Sequence, residues 1–214
     1  IQILGNGQFD FAGVTFSNIA TLDFGSISVQ EKLIIDGSTS LISNSNKTVI
    51  TSFQAGSGAT KDIFDWQESI KPGNGGSAIT GDLGINSIAS KPGNATSISG
   101  NASGVVEFAF SEAALGFDLQ SATLSLTEIT NNVVGLLEST TALNSSGSAT
   151  APGAANTDSL LIFFESSNSS ENGGTQDAGV FRYQEGTQDD DFDNEITLVA
   201  VFESVIGFND ANFV

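Results

Sequence analysis

Cysteine, histidine and methionine are absent from this 214-residue chain, and tryptophan and tyrosine occur once each. Without cysteine there is no thiol nucleophile and no disulfide framework. Without histidine the chain lacks the side chain that most often moves protons near neutral pH and the commonest metal-ligating nitrogen. Most enzyme mechanisms lose their central residue here, so a non-enzymatic role is expected. Long apolar runs are missing too: stretches such as Leu198 to Phe202 are far too short to cross a bilayer, and no membrane span is expected. No basic-then-apolar leader opens the chain at Ile1, which reads as processed or cut from something longer.

Positive charge is scarce and unevenly placed. Six Lys and Arg face 25 Asp and Glu, for a net charge of −19. Up to Val106 the balance is eight acids against five lysines; from Glu107 onward seventeen acids face only Arg182. Such a surface repels nucleic acid and anionic membranes and attracts divalent cations or basic partners.

What is present reads as β-structure. Short Val, Ile, Thr and Phe segments are punctuated by Gly, Asn and Ser over residues 1–70. Phe9-Asp10-Phe11, Leu22-Asp23-Phe24 and Ile35-Asp36-Gly37 recur every thirteen residues, and Phe64-Asp65-Trp66 repeats the pattern. In a strand, apolar-Asp-apolar puts the apolar pair on the buried face and the Asp outside. The segments at Val14, Ile27 and Thr48 would supply alternate strands. The spacing fits a β-solenoid, or β-roll, in which each rung buries its apolar face against its neighbours; a β-sandwich is the alternative.

Residues 71–104 shift to Gly, Ser, Asn and Ala, with Lys71-Pro-Gly-Asn74 repeated as Lys91-Pro-Gly-Asn94, and read as a linker or surface loops between two domains. In residues 105–214, Val105 to Phe110 alternates as a strand. Ser125 and Glu128 form a capping box before Leu126, Ile129, Val133, Leu136 and Leu137 at helical spacing, predicting one helix over about 125–138. Ala142 to Thr157 is a low-complexity loop. Ser159 to Glu165, Gly179 to Gln184 and Glu195 to Val205 suit an antiparallel sheet with that helix on one face. The fold class expected is therefore all-β with a single packed helix.

Two segments are candidate cation sites. In Asp189-Asp190-Asp191-Phe192-Asp193-Asn194-Glu195 the alternate residues Asp189, Asp191, Asp193 and Glu195 are all carboxylates. A hard cation such as Ca²⁺ takes six to eight oxygens, so this run is read as a calcium site or as a solvated acidic hairpin loop. The second is the Gly-rich turn Gly56 to Asp62 with Asp65 beyond it, where Asp62 and Asp65 are candidate ligands and an empty structural turn is the competing reading. Gly73 to Gly76 lacks the Lys-Ser/Thr of a phosphate-binding loop. Asn-x-Ser/Thr triplets at Asn46, Asn94, Asn101, Asn144 and Asn168 carry little weight in a chain this rich in Asn, Ser and Thr.

The residues Phe16-Ser-Asn-Ile-Ala-Thr-Leu-Asp-Phe24 resemble the Phe-x-x-Ile-x-x-Leu rung of type I-secreted, RTX-related bacterial surface proteins, the S-layer and giant-adhesin class. Thr51-Ser-Phe53 with Asp62-Ile-Phe-Asp65 looks like the element that ends their solenoids. The strand from Gly104, the helix, and Leu160 to Phe164, Val180 to Tyr183 and Ile196 to Phe202 are similar to their C-terminal region. Asn209-Asp-Ala-Asn-Phe-Val214 looks like their uncleaved terminal secretion signal. The resemblance implies type I export, folding with calcium outside the cell, and a structural role in a lattice or filament of copies of itself. An adhesin or carbohydrate-binding module contacting cell-surface glycan, or the non-catalytic tail of a secreted hydrolase, are the alternatives.

Overall fold

The computed structural model describes residues 1–3, 7–25, 29–43, 46–56, 58–70, 77–79, 83, 85–88, 104–108, 115–121, 123–138, 158–165, 175–184, 192, 194–205 and 207–214, with backbone alone for 46, 85–88 and 138. The chain is mostly strand, 43% of residues, with one α-helix among the described residues, in agreement with the all-β expectation.

The first third of the chain passes back and forth between two sheets. Strands β1 (Gln8–Asp10), β3 (Lys32–Ile35) and β7 (Ile63–Trp66) pair in parallel as one sheet. The segments between them, β2 (Thr21–Asp23) and β6 (Val49–Thr51), pair in parallel in the other. Gln2 bridges Asp23 and Thr15 bridges Ser40, both in parallel, so each pass sits in register on the one before. The thirteen-residue repeat is therefore half a pass: Phe9, Leu22 and Ile35 fall on alternate sheets. A short hairpin, β4 (Ile42–Ser43) with β5 (Asn46–Lys47), leaves the path between β3 and β6.

The second sheet continues through the rest of the chain. Its order is β2-β6-β12-β11-β10-β9-β8, with β8 (Ile85–Ile88), β9 (Val105–Phe108), β10 (Asp158–Phe164), β11 (Gln176–Gln184) and β12 (Ile196–Val205). Strands β10, β11 and β12 form the expected antiparallel meander, but β8, β9 and β10 pair in parallel. Strand β12 pairs in parallel with β6, Val201 opposite Val49 and Phe202 opposite Ile50. The tail then bridges β7 in parallel, Phe213 opposite Phe64. The C-terminal strand and tail thus supply a further pass on top of β6 and β7.

Two expectations are corrected by this topology. The C-terminal strands are not a separate antiparallel sheet: they share a mixed, open sheet with β2 and β6, and one hydrophobic core runs through both halves. Nor is 71–104 wholly a linker, because Ile85–Ile88 pairs with β9 and Ile79 bridges Ile70. Sequence composition missed β8 because its Ile-Asn-Ser-Ile is short and lies among Gly and Ser. The low-complexity stretch 142–157 and the last two residues of the strand expected over Val105 to Phe110 lie outside the described residues.

Burial between the two sheets explains why the passes stack. Phe24, Phe53, Phe64, Phe202, Phe208 and Phe213 are all buried and form a connected set of ring contacts, from 4.8 Å between Phe53 and Phe202 to 6.0 Å between Phe53 and Phe208, mostly edge-on. Such pairs add roughly 0.5–1.5 kcal/mol beyond the area they remove from water. A second group, Phe108 stacked on Phe163 at 4.5 Å with Phe181 edge-on to Phe163, fills the other end of the core.

Helix α1 (Leu126–Glu138) begins where its cap predicts. Glu128 N–H donates to Ser125 Oγ at 3.2 Å and Ser125 N–H donates to Glu128 Oε2 at 2.8 Å. Ile129, Val133, Val134 and Leu137 are buried, and the helix packs on β12. No helix among the described residues is long and apolar enough to cross a membrane.

Phe202 touches rings from both sheets, so Phe202→Ala is expected to lower unfolding free energy by about 3–5 kcal/mol. Urea denaturation checks this; a loss below about 1 kcal/mol would show that the rings do not form one core.

Candidate functional site

A charged cleft of about 240 Å³ lies where the second pass meets the meander. The turn after β3 brings Asp36, Gly37 and Thr39; β11 brings Arg182 and Gln184; the start of β12 brings Asn194, Glu195 and Thr197. Each wall follows from local sequence. Asp36 Oδ1 accepts from the N–H groups of Gly13 and Ser38 and from the hydroxyls of Ser38 and Thr39, at 2.7–3.1 Å. These donors, the Ser38 hydroxyl first, hold the Asp36 carboxyl down at about 2 against a usual 3.8. At the other wall Gln184 N–H donates to Glu195 O at 2.9 Å, and Asn194 takes a φ of 64° to make the turn into β12.

Arg182, the chain's one arginine, is the hub beside this cleft. Its Nη2 lies 2.6 Å from Asp158 Oδ2 and 2.7 Å from Glu68 Oε2, and its Nε donates to both Asp158 oxygens at 3.2 Å. Its guanidinium carbon sits 5.4 Å from the centre of the Trp66 ring, within cation–π range. Burial lifts the Asp158 carboxyl, and the Arg182 fork opposes that lift. Gly37 is where the second pass fits against this group: a Cβ there would come within 2.5 Å of both Arg182 Nη1 and Glu68 Oε1. Glu68 Oε1 also accepts the Gly37 N–H at 3.0 Å. The cluster ties β7, β10 and β11 together.

The candidate cation ligands are distributed as follows. Glu195 lines the cleft and is buried, with 8% of its surface exposed. Asp189, Asp191 and Asp193 lie outside the described residues, in the connection between β11 and β12. Asp62 and Asp65 are not brought together. Asp62 is fully buried, its Oδ1 accepting the Glu31 N–H at 2.9 Å and its Oδ2 the Gln54 N–H at 2.7 Å. Asp65, expected on the outside of its strand, is buried at 6% exposure and paired with Lys32 Nζ at 2.5 Å. The turn before them includes Gly56 and Gly58, with φ of 108° and 126°. Among the described residues no group of three or more acids is arranged to hold a metal.

Sequence reasoning missed three polar anchors. Arg182 was visible as a lone cation among seventeen acids, a signal for an internal partner rather than a surface charge. Lys47 grips the loop before α1, its Nζ donating to Leu124 O at 2.6 Å and to Ser121 O; nothing in the local sequence points to it. Glu31 is fully buried beside Asp62, where periodicity alone would have kept an acid outside.

Arg182→Met should cost about 3–5 kcal/mol, because it leaves Asp158, at 8% side-chain exposure, without its counter-charge. Glu68→Gln should cost less than about 1 kcal/mol, since the Glu68 carboxylate is 37% exposed. Urea titrations followed by Trp66 fluorescence separate the two; equal costs would mean that Asp158 is not the principal partner. No protein-family model, curated protein or solved structure matches the chain.

Proposed function

We propose that this chain is a non-enzymatic structural unit of an extracellular, self-assembling bacterial surface layer or filament, of the type I-secreted, RTX-related class. Its parallel passes are read as the coils of a short β-solenoid, with β12 and the tail as the last coil. The observation that carries the assembly reading is the other end of the stack. There β1 is the edge of its sheet among the described residues, and Val14 is an exposed large hydrophobic, at 40%. A parallel edge with an apolar flank is a template for adding a strand from another copy.

Calcium is proposed at Asp189, Asp191, Asp193 and Glu195, where carboxylates this close repel one another unless a cation draws them together. The tail, Asn209 to Val214, resembles an export signal, yet Phe213 is fully buried and bridged to β7. Such a signal is readable only before folding, which suits export of an unfolded chain. The glycan-binding alternative finds less support: Trp66 and Tyr183, the chain's one Trp and one Tyr, are both buried and offer no face to a sugar.

The edge reading has a direct test. Lys32 N–H donates to Gly7 O and Phe11 N–H donates to Ile34 O, so residues 7 and 11 face β3, and by the strand's two-residue period Gln8 faces outward. Gln8→Pro should remove an outward donor, spare the inner ladder and abolish assembly, as seen by electron microscopy and sedimentation in calcium. Unchanged assembly would discard β1 as the contact. Separately, calcium should raise the unfolding free energy, by about 2.7 kcal/mol at a hundredfold excess over its dissociation constant. Neutralising the four acids (D189N, D191N, D193N, E195Q) should erase that gain; a gain that survives would move the ion elsewhere.

A further inference from the structure

Glu31 and Asp62 stand side by side where the second and third passes enter the first sheet. Lys32 is in register with Ile63, which places the preceding residues next to each other, and Glu31 N–H donates to Asp62 Oδ1 at 2.9 Å while Ile63 N–H donates to Glu31 O at 2.9 Å. Beyond Asp62, the tail contributes Asn212, whose Nδ2 donates to Asp62 O at 2.8 Å. On the other side of Glu31 the neighbouring residue of the first pass is Gly7, which brings no side chain.

Both acids are fully buried, with 0% exposure, yet the backbone treats them unequally. Asp62 receives one N–H on each oxygen, from Glu31 and from Gln54. Neither Glu31 oxygen has a hydrogen-bond partner from the protein. A buried carboxylate that accepts nothing carries a desolvation cost of several kcal/mol, and a second carboxylate beside it raises that cost. The group that accepts two N–H bonds is suited to keep the charge, and the one that accepts none is suited to carry a proton.

We propose that Glu31 and Asp62 share one proton, carried by Glu31 and donated to the Asp62 carboxylate, and that this bond is a pH-sensitive joint between the second and third passes. The charged groups acting on the pair are each other and Lys61, which favours the charge on Asp62. Asn212 and Gly7 are neutral, and Lys32 is engaged by Asp65. Burial, and then Asp62, push the Glu31 carboxyl up to about 7 from a usual 4.5, and burial raises Asp62 as well. The folded chain therefore keeps a proton that the unfolded chain has lost between about pH 4.5 and 7. Stability is full below that window, falls as pH rises through it and levels off above. Asp36 has the opposite sign and a separate window, its contribution being lost only as pH falls from 3.8 towards about 2.

The test is urea unfolding of dilute, monomeric protein in chelator from pH 5 to pH 8, conditions in which neither assembly nor the acidic run contributes. The folding equilibrium constant of the native chain should fall by roughly a hundredfold, one pKa unit being tenfold. Glu31→Gln, neutral at every pH, should remove that fall and be the more stable protein at pH 8. The same fall in both proteins would overturn the proposal. So would recovery of native stability at pH 8 on adding calcium that Glu31→Gln abolishes, since the pair would then hold a cation and not a proton. Should Glu31→Gln fail to fold, infrared spectroscopy of the native chain decides: a carboxylic-acid band at pH 6 that bleaches by pH 8 supports the shared proton, and no such band at pH 6 overturns it.

Discussion

The parallel pairing of β12 with β6 is the constraint on which the rest of the molecule depends. It places Phe202 against Phe53 and Phe64 and delivers the tail to β7, so that Phe208 and Phe213 complete the ring cluster. Without it, β6 and β7 would present an open edge above the third pass and the meander would have no second layer on that side. Each early pass has strands of only three or four residues, too few backbone bonds to hold alone. Their stability is borrowed from neighbours in register, as in any stacked array.

That dependence is long-range. Asn212 reaches Asp62 across 150 residues of sequence, and its Oδ1 also accepts the Gly56 N–H at 2.8 Å. Contacts this distant repay their loop-closure entropy only after most of the chain has been positioned, which makes such topologies slow to fold. The stack is therefore completed by the last residues of the chain.

Much of this fold was legible in the sequence where a single physical rule governed a segment. The capping box at Ser125 and Glu128 and the stripe at Ile129, Val133 and Leu137 placed the helix, and three apolar segments joined by polar connections placed β10 to β12. The thirteen-residue repeat marked the passes but did not reveal that alternate repeats belong to different sheets, because period within a strand says nothing about which strand it joins. The parallel return of β12 onto β6 was invisible for the same reason: β12 is apolar on both faces, and the sequence around Val49 carries no mark of its partner. Of the candidate ligands, Glu195 lines the charged cleft. Asp62 and Asp65 were read as a pair from proximity in sequence, whereas one binds backbone N–H groups at a corner and the other meets Lys32 across the sheet.

The cations are the second scarce resource, and their use sharpens the meaning of the charge imbalance. Lys32 is paired with Asp65, Lys47 is held against backbone carbonyls, and Arg182 is shared between Asp158 and Glu68. Each of these is an internal tie, chosen by burial, and none is available to offset acids at the surface. Arg182 is the one basic residue after Val106, and burial has already committed it. The acidic stretch between Gln184 and Ile196 contains no Lys or Arg of its own. Repulsion among them can be relieved by ionic strength or by ions that bridge several oxygens, and the second relieves more of it per ion, because one divalent charge answers several neighbours at contact distance while screening acts only over a Debye length. With Lys32, Lys47 and Arg182 engaged inside the fold, ions from the solvent are what remains to relieve repulsion along that stretch.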